Sequence, residues 1–154
     1  MKRIRPSRNR VRQTGSSLFE VMIAVLVLST GMLGVAAMQA ISLRNSQSAF
    51  QRSQAILLAY SITEAMRANV EAARISPGYT LALPATGCSV PLAGSTLISN
   101  DLNAWVSAIQ TTMGAGACGG ISCTSGVCEV SIRWNDEGGS GGSAAQELHT
   151  RSLL

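Results

Sequence analysis

The strongest constraint on the fold is a stretch of 23 residues, 21–43, that contains no charged side chain. The stretch is strongly apolar, and no proline interrupts it. A helix rises about 1.5 Å per residue, so this stretch is long enough to cross the roughly 30 Å hydrocarbon core of a bilayer. The sequence therefore predicts a membrane-spanning helix, of which a plain uncleaved anchor is the simplest form.

The residues before this stretch are strongly basic, and no acid precedes Glu20. The basic residues are Lys2, Arg3, Arg5, Arg8, Arg10 and Arg12. The formal net charge is +4, but the chain after residue 15 carries six basic and eight acidic residues, a net of −2. The body is thus mildly acidic and has no basic patch interleaved with aromatics, which argues against nucleic-acid binding. The basic cluster instead predicts a cytoplasmic N-terminus.

The helical pattern continues beyond Arg44, because neither proline nor glycine occurs from Met38 through Ser76. We expect one helix from about Ser16 to about Arg74, ended by Pro77 and Gly78. Its second half is predicted to be amphipathic. The apolar side is predicted to comprise Phe50, Leu57, Leu58, Ile62, Ala65 and Met66.

The remainder, residues 77–154, is predicted to be small and rich in strands. The expected elements are a short strand at 80–83, a helix at 101–109, a turn-rich connection at 114–120, a strand at 127–134, a Gly-Ser loop at 136–143 and a last strand at 146–154. The strand at 127–134 alternates with period two, so Val130, Ile132 and Trp134 are predicted to share one face. Leu102, Trp105, Val106 and Ile109 would form the apolar face of the helix, with Asn100 or Asp101 as its cap. The predicted fold class is α+β, with the long helix packed on a small antiparallel sheet.

The chemistry of the N-terminal region centres on Gly15 and Glu20. A carboxylate at the mouth of a membrane segment costs several kcal/mol unless it is paired. Cleavage after Gly15 would create a cationic amine on Ser16, about one helical turn from Glu20. If the Ser16 amine of one subunit paired with Glu20 of the next, the pair would determine the axial offset between adjacent helices, which apolar contacts alone leave undefined.

This stretch resembles the signal region of type IV pilins and pseudopilins. The resemblance implies a pilin-like fold with a leader at 1–15, a transmembrane and assembly helix at 16–43, an amphipathic continuation at 44–76 and a periplasmic domain at 77–154. It also implies cleavage after Gly15 by a membrane prepilin peptidase, N-methylation of Ser16 and a role for Glu20 in subunit assembly. The family usually has Phe where this chain has Ser16.

Three later segments, 57–69, 101–105 and 128–136, resemble the minor pilins known as type IV pilus modification proteins. That resemblance implies a non-enzymatic inner-membrane subunit that joins other minor pilins and the major pilin, primes assembly at the tip and ends in the pilus fibre. Alternatives are a minor pseudopilin of type II secretion and a membrane-tethered periplasmic binding or enzymatic domain. An ordinary signal peptide cut near Ala37 is a further alternative.

Four cysteines, Cys88, Cys118, Cys123 and Cys128, lie in the predicted periplasmic part, where an even number favours disulfides. Three pairings are possible. A hairpin pair of Cys123 with Cys128 would leave Cys88 with Cys118, although Cys118 could also reach Cys128. Their spacing and the single histidine, His149, argue against a metal site.

No catalytic constellation is evident in the sequence, and neither an enzyme nor a cofactor is expected. Asp136 and Glu137 are adjacent in the Gly-Ser loop and are predicted to be solvated rather than catalytic. The loop itself is predicted to be a flexible connection.

Overall fold

A computed structural model describes residue 15 and residues 17–74, 78–139 and 141–154. Of the predicted leader only Gly15 falls within this part, and Ser16 lies outside it. The described helices are α1 (Leu18–Ala68), α2 (Val70–Arg74) and α3 (Leu97–Met113), and the strands are β1 (Cys118–Thr124), β2 (Val127–Trp134) and β3 (Gln146–Leu153). The chain divides into two compact units, Met1–Ala40 and Ile41–Leu154.

The predicted single helix to Arg74 is interrupted once, at Asn69. The Asn69 amide donates to the carbonyl oxygens of both Ala65 and Met66, each at 3.2 Å. Such a shared bond is common where a helix ends, and α2 begins at the next residue. At the end of α2, Nε and Nη2 of Arg74 donate to the Leu154 carbonyl oxygen at 3.0 and 2.7 Å. The short helix is thus hydrogen-bonded to the residue that follows β3.

The buried face of α1 matches the predicted one in part, because Ile62 and Met66 are buried as expected and Leu58 and Ala65 are partly buried against the core. Ala55, Ala59, Ile62 and Met66 are the buried apolar residues, at helical steps of four, three and four. Phe50 and Leu57, which were predicted to lie on the apolar side, are each 61% exposed. Hydrophobicity alone favoured the larger side chains, whereas the structure places the two alanines against the rest of the domain, where small side chains allow close packing.

Helix α3 is longer than predicted and has a different cap. It begins at Leu97 because Thr96, and neither Asn100 nor Asp101, supplies the capping oxygen, which accepts a hydrogen bond from the Ser99 amide at 3.2 Å. The predicted apolar face is confirmed, because Leu102, Trp105, Val106 and Ile109 are buried. The Trp105 indole N–H also donates to the Leu58 carbonyl oxygen at 2.9 Å, so α3 is bonded to α1.

The sheet is antiparallel in the order β1-β2-β3. The predicted strands at 127–134 and 146–154 are confirmed, and Val130, Ile132 and Trp134 face the core as expected. Ser125 and Gly126 join β1 to β2 with φ angles of 52° and 82°, a left-handed turn of the kind that suits a two-residue hairpin. The strand predicted at 80–83 is reduced to an isolated bridge between Leu81 and Ile121.

Strand β1 begins inside the segment that was predicted to be a turn-rich connection. A Cβ atom at Gly119 would lie 2.5 Å from the Trp105 ring, and one at Gly120 would lie 2.7 Å from Cβ of Leu83. These two glycines therefore belong to a strand that α3 and residue 83 approach closely. The fold is α+β: a long apolar N-terminal helix and a small three-stranded antiparallel sheet.

Candidate functional site

The start of α1 carries the predicted processing and assembly residues. Gly15 is exposed, and the Ser17 hydroxyl accepts a hydrogen bond from the Phe19 amide at 3.3 Å. Glu20 lies exposed in the first turn of α1, where a negative charge is favourable beside the unpaired amides of a helix N-terminus. The expected charge pair of Glu20 with the amine of Ser16 involves a residue outside the described part, so it stays a prediction.

The first part of α1 exposes an apolar surface on every side. Leu18 is 81% exposed and Leu33 is 72% exposed, and the helix is long and apolar enough to cross a membrane. The Ser29 hydroxyl donates to the Val25 and Leu26 carbonyl oxygens, each at 2.9 Å, and the Thr30 hydroxyl donates to that of Val27 at 2.9 Å. Because the helix satisfies these hydroxyl donors internally, they are compatible with a lipid environment.

Apolar exposure continues beyond Arg44, the first charged residue after the uncharged stretch, within the second unit. Leu43, Phe50 and Leu57 follow one another at intervals of seven residues and are 71%, 61% and 61% exposed, and Tyr60 beside them is 56% exposed. We call these four side chains the exposed stripe. Residues seven apart lie on one side of a helix, and this side is distinct from the one that Ala55 and Ile62 bury. The second half of α1 thus carries two apolar faces, one of which has no cover within the described residues.

The four cysteines form two disulfides, Cys88–Cys118 and Cys123–Cys128, and none is free. These are the pairs that the sequence favoured. Cys123 and Cys128 are direct partners in the β1–β2 register, with Cα atoms 4.0 Å apart. The longer bridge joins the segment before α3 to the first residue of β1 and so closes a loop around that helix.

A charged network covers the outer face of β2 and β3. Arg151 Nε donates to a Glu129 carboxylate oxygen at 2.5 Å, and His149 lies 3.2 Å from Glu129 and 3.1 Å from Glu147. The hydrogen bond from Arg151 is the main cause that lowers the pKa of Glu129 below its usual value, with a smaller contribution from His149. Among the described residues, no group of His, Cys, Asp or Glu is arranged to hold a metal ion.

A polar cleft lies between α1 and the loop after β2. Its volume is about 220 Å³, and Arg44, Gln47, Gln51 and Asp136 are among the residues that line it. Asp136 is only 3% exposed, which contradicts its prediction as a solvated residue. The Ser48 hydroxyl on α1 donates to its carboxylate at 2.6 Å, and Gly139 and Gly142 approach it closely from the loop. We call this site the Arg44–Asp136 cleft.

The Gly-Ser loop packs closely around Asp136. A Cβ atom at Gly139 would lie 3.0 Å from the Asp136 carboxylate, and one at Gly142 would lie 1.7 Å from the Asp136 carbonyl oxygen. The Asp136 amide also donates to the Ser143 carbonyl oxygen at 2.9 Å. Sequence reasoning missed the cleft because an acid followed by glycines is typical of a solvated loop, and only the fold brings Ser48 to Asp136.

No known protein family, curated protein or solved structure matches this chain. The class of protein defined by the fold is therefore described by its parts. It is an α+β protein in which an N-terminal helix able to cross a membrane leads into a disulfide-bonded antiparallel sheet domain.

Proposed function

We propose that this chain is a non-enzymatic subunit of a membrane-assembled filament, most specifically a minor type IV pilin. In this proposal a prepilin peptidase removes residues 1–15, the helix from Ser16 anchors the chain in the inner membrane, and residues 77–154 face the periplasm. The processed chain then joins other minor pilins and the major pilin during initiation of the pilus, at its tip.

The observation that carries the proposal is the uncovered apolar surface of α1, which extends beyond the membrane-length stretch. A plain membrane anchor needs apolar exposure only as far as Leu43, the last residue of the uncharged stretch. The exposed stripe continues to Tyr60, past Arg44 and Arg52, in a region that the charges place outside the hydrocarbon. Contiguous exposed apolar side chains outside a membrane indicate a protein–protein contact, and a helix-packed filament supplies that contact.

The position of Glu20 supports the same proposal. An exposed carboxylate in the first turn of an otherwise apolar helix gains little from the membrane and disfavours deep insertion. It becomes favourable if a neighbouring subunit supplies a positive charge at the same depth. The amine of a processed Ser16 on that subunit is such a charge.

Leader removal tests the first step. We expect co-expression with a prepilin peptidase to yield a membrane-bound chain that starts at Ser16, as determined by intact-mass spectrometry. Gly15→Leu should block this cleavage, because a bulky side chain should not fit beside the scissile bond. A wild-type chain that starts near Met38, or a Gly15→Leu chain that starts at Ser16, would contradict the assignment.

The assembly step is tested with Glu20→Ala in a strain that needs the chain for piliation. The variant should insert into the membrane at least as well as the wild type, because it removes a costly charge. Piliation and co-purification with the partner pilins should fall. Normal piliation with Glu20→Ala would refute the role of the charge, and a loss of secretion without a loss of pili would favour type II secretion instead.

A further inference from the structure

The Arg44–Asp136 cleft has features that the proposed filament function does not use. We propose that it binds the headgroup of an aminophospholipid, in which a phosphate and a primary ammonium group are joined by two carbons. The proposal rests on the membrane insertion of α1, which is one part of the proposed function, but it does not depend on filament assembly.

Position along the chain is the first argument. Arg44 is the first charged residue after the uncharged stretch and follows directly in α1. A basic side chain at the end of a membrane span extends to the lipid phosphates. Gln47, Ser48 and Gln51 follow Arg44 at intervals of three, four and seven residues, so all four lie on one side of the helix. This side faces the loop that carries Asp136.

Charge complementarity is the second argument. Arg44 has no carboxylate within ion-pairing distance in the described part of the chain. Asp136 is 3% exposed, and Ser48 is the only side chain among the described residues that donates to its carboxylate. A buried carboxylate with one neutral donor gains strongly from a cationic partner. The cleft therefore offers one positive and one negative group to a ligand that carries both charges.

This pair of groups distinguishes between lipid classes. A primary ammonium can donate hydrogen bonds to Asp136 while its phosphate accepts from Arg44. A quaternary choline has no N–H to donate, and a glycerol headgroup leaves the Asp136 charge without a cation. The volume of about 220 Å³ is below the usual range of drug-sized pockets, so it suits a headgroup while the acyl chains remain outside.

The Gly-Ser loop that carries Asp136 is already ordered around the carboxylate in the absence of lipid. Gly139 and Gly142 allow the loop to close on Asp136 at distances that no side chain would permit, and Ser48 holds the carboxylate at 2.6 Å. Binding would therefore cost little additional ordering of the loop.

The test is native mass spectrometry of the full chain in detergent, titrated separately with phosphatidylethanolamine, phosphatidylglycerol and phosphatidylcholine that carry identical acyl chains. We expect the wild type to retain phosphatidylethanolamine about fivefold or more over either other lipid. Arg44→Gln should weaken that binding about tenfold, the value of one charge-assisted hydrogen bond. Asp136→Asn should abolish the preference for phosphatidylethanolamine over phosphatidylcholine.

Two matched controls report on specificity. Arg52→Gln removes an exposed cation from the same helix, and Glu137→Gln removes the adjacent carboxylate, which does not line the cleft. Both should bind as the wild type does. Because Asp136→Asn changes a buried residue, its thermal unfolding is measured in parallel. If Asp136→Asn unfolds, Arg44→Gln still decides the test, because it changes an exposed side chain.

Equal retention of the three lipids by the wild type would overturn the proposal. So would a loss of phosphatidylethanolamine binding in Arg52→Gln as large as that in Arg44→Gln. Water-soluble glycerophosphoethanolamine should compete only at far higher concentration than the lipid. If it binds equally well, the ligand is a free phosphoamine and the lipid assignment is wrong. Extraction of the chain from membranes by alkaline carbonate would instead refute membrane anchoring, so the two failures are distinguishable.

Discussion

Gly119 determines how closely α3 can approach the sheet. A Cβ atom at this position would be 2.5 Å from two carbons of the Trp105 ring and 2.8 Å from Cδ1 of Ile109. Trp105 is held in place by its hydrogen bond to the Leu58 carbonyl oxygen, so the ring cannot move away without losing that bond. One missing methyl group therefore allows contact among α1, α3 and β1.

We expect Gly119→Ala to lower the free energy of unfolding by about 1–3 kcal/mol, the usual cost of overpacking a core. Thermal and denaturant unfolding of the full chain in detergent would measure it. Gly116→Ala is the matched control, because a Cβ atom at Gly116 meets nothing within 4 Å. Equal stability of the two variants would show that Trp105 moves freely.

The pKa of Glu129 gives a second prediction at the same scale. Its pKa is lowered from the usual 4.5, mainly by the hydrogen bond from Arg151. A depressed carboxyl pKa in the folded state adds stability above pH 4.5, and this stability is lost as the pH falls through the folded-state value. Arg151→Gln should therefore raise the pKa of Glu129 towards 4.5 and shift acid unfolding to higher pH.

Carboxyl-carbon NMR titration would report the Glu129 pKa directly. Arg52→Gln, which removes a cation that forms no ion pair with the network, should leave the Glu129 pKa unchanged. An unaltered Glu129 pKa in Arg151→Gln would mean that His149 alone maintains the shift.

At the scale of elements, the two disulfides should differ in their contribution to stability. Cys88 and Cys118 are 30 residues apart, whereas Cys123 and Cys128 are 5 apart. The chain-entropy model assigns about 3.5 kcal/mol to the longer loop and about 2 kcal/mol to the shorter one. Replacing Cys88 and Cys118 together by Ser should thus destabilise more than replacing Cys123 and Cys128 together.

Paired replacements leave no unmatched thiol, so denaturant unfolding compares the two bridges directly. Non-reducing peptide mapping of the wild type verifies the pairing itself. A crosslink from Cys88 to Cys128, or a larger loss from the short bridge, would contradict the expectation.

The elements that the sequence predicts well have a strong local period. Alternation in β2 and the apolar face of α3 depend on neighbouring residues, and both are confirmed. The start of β1, the Thr96 cap and the buried face of α1 depend on contacts distant in sequence. From the sequence alone Gly119 indicates a turn, because its contact with Trp105 is seen only in the structure. Ala55 is only weakly hydrophobic, so its complete burial is likewise not predicted by the sequence.

At the scale of the whole molecule, the exposed stripe should matter for association and not for folding. Phe50→Ser and Leu57→Ser change side chains that are each 61% exposed, so unfolding free energies should change by about 0.5 kcal/mol or less. Co-purification with the proposed partner pilins should weaken about five- to tenfold if these residues are central to the contact. Arg52→Ser, on the same helix, is the control.

Quantitative pull-down from membranes, normalised to the amount of processed chain, would measure this effect. Loss of stability in Leu57→Ser would show that the side chain supports the fold instead. Unchanged partner recovery in both variants would remove the main support for an assembly role.

The candidate sites differ in how far the sequence could predict them. Gly15 and Glu20 belong to one short segment, so their proposed roles can be predicted from the sequence without knowledge of the fold. The Arg44–Asp136 cleft joins residues that are 92 positions apart. The sequence does not predict this contact, because it depends on how the loop after β2 packs against α1.

The two-residue turn at Ser125 and Gly126 also determines the order in which the two disulfides form. Closing a short hairpin is fast and needs no other part of the domain, whereas bringing Cys88 to Cys118, 30 positions later, requires the chain between them to be ordered or collapsed. The Cys123–Cys128 pair should therefore oxidise first. Once it has formed, Cys88 and Cys118 are the two thiols that remain, and each can pair only with the other within the chain. The order of disulfide formation therefore excludes both incorrect pairings without an isomerase.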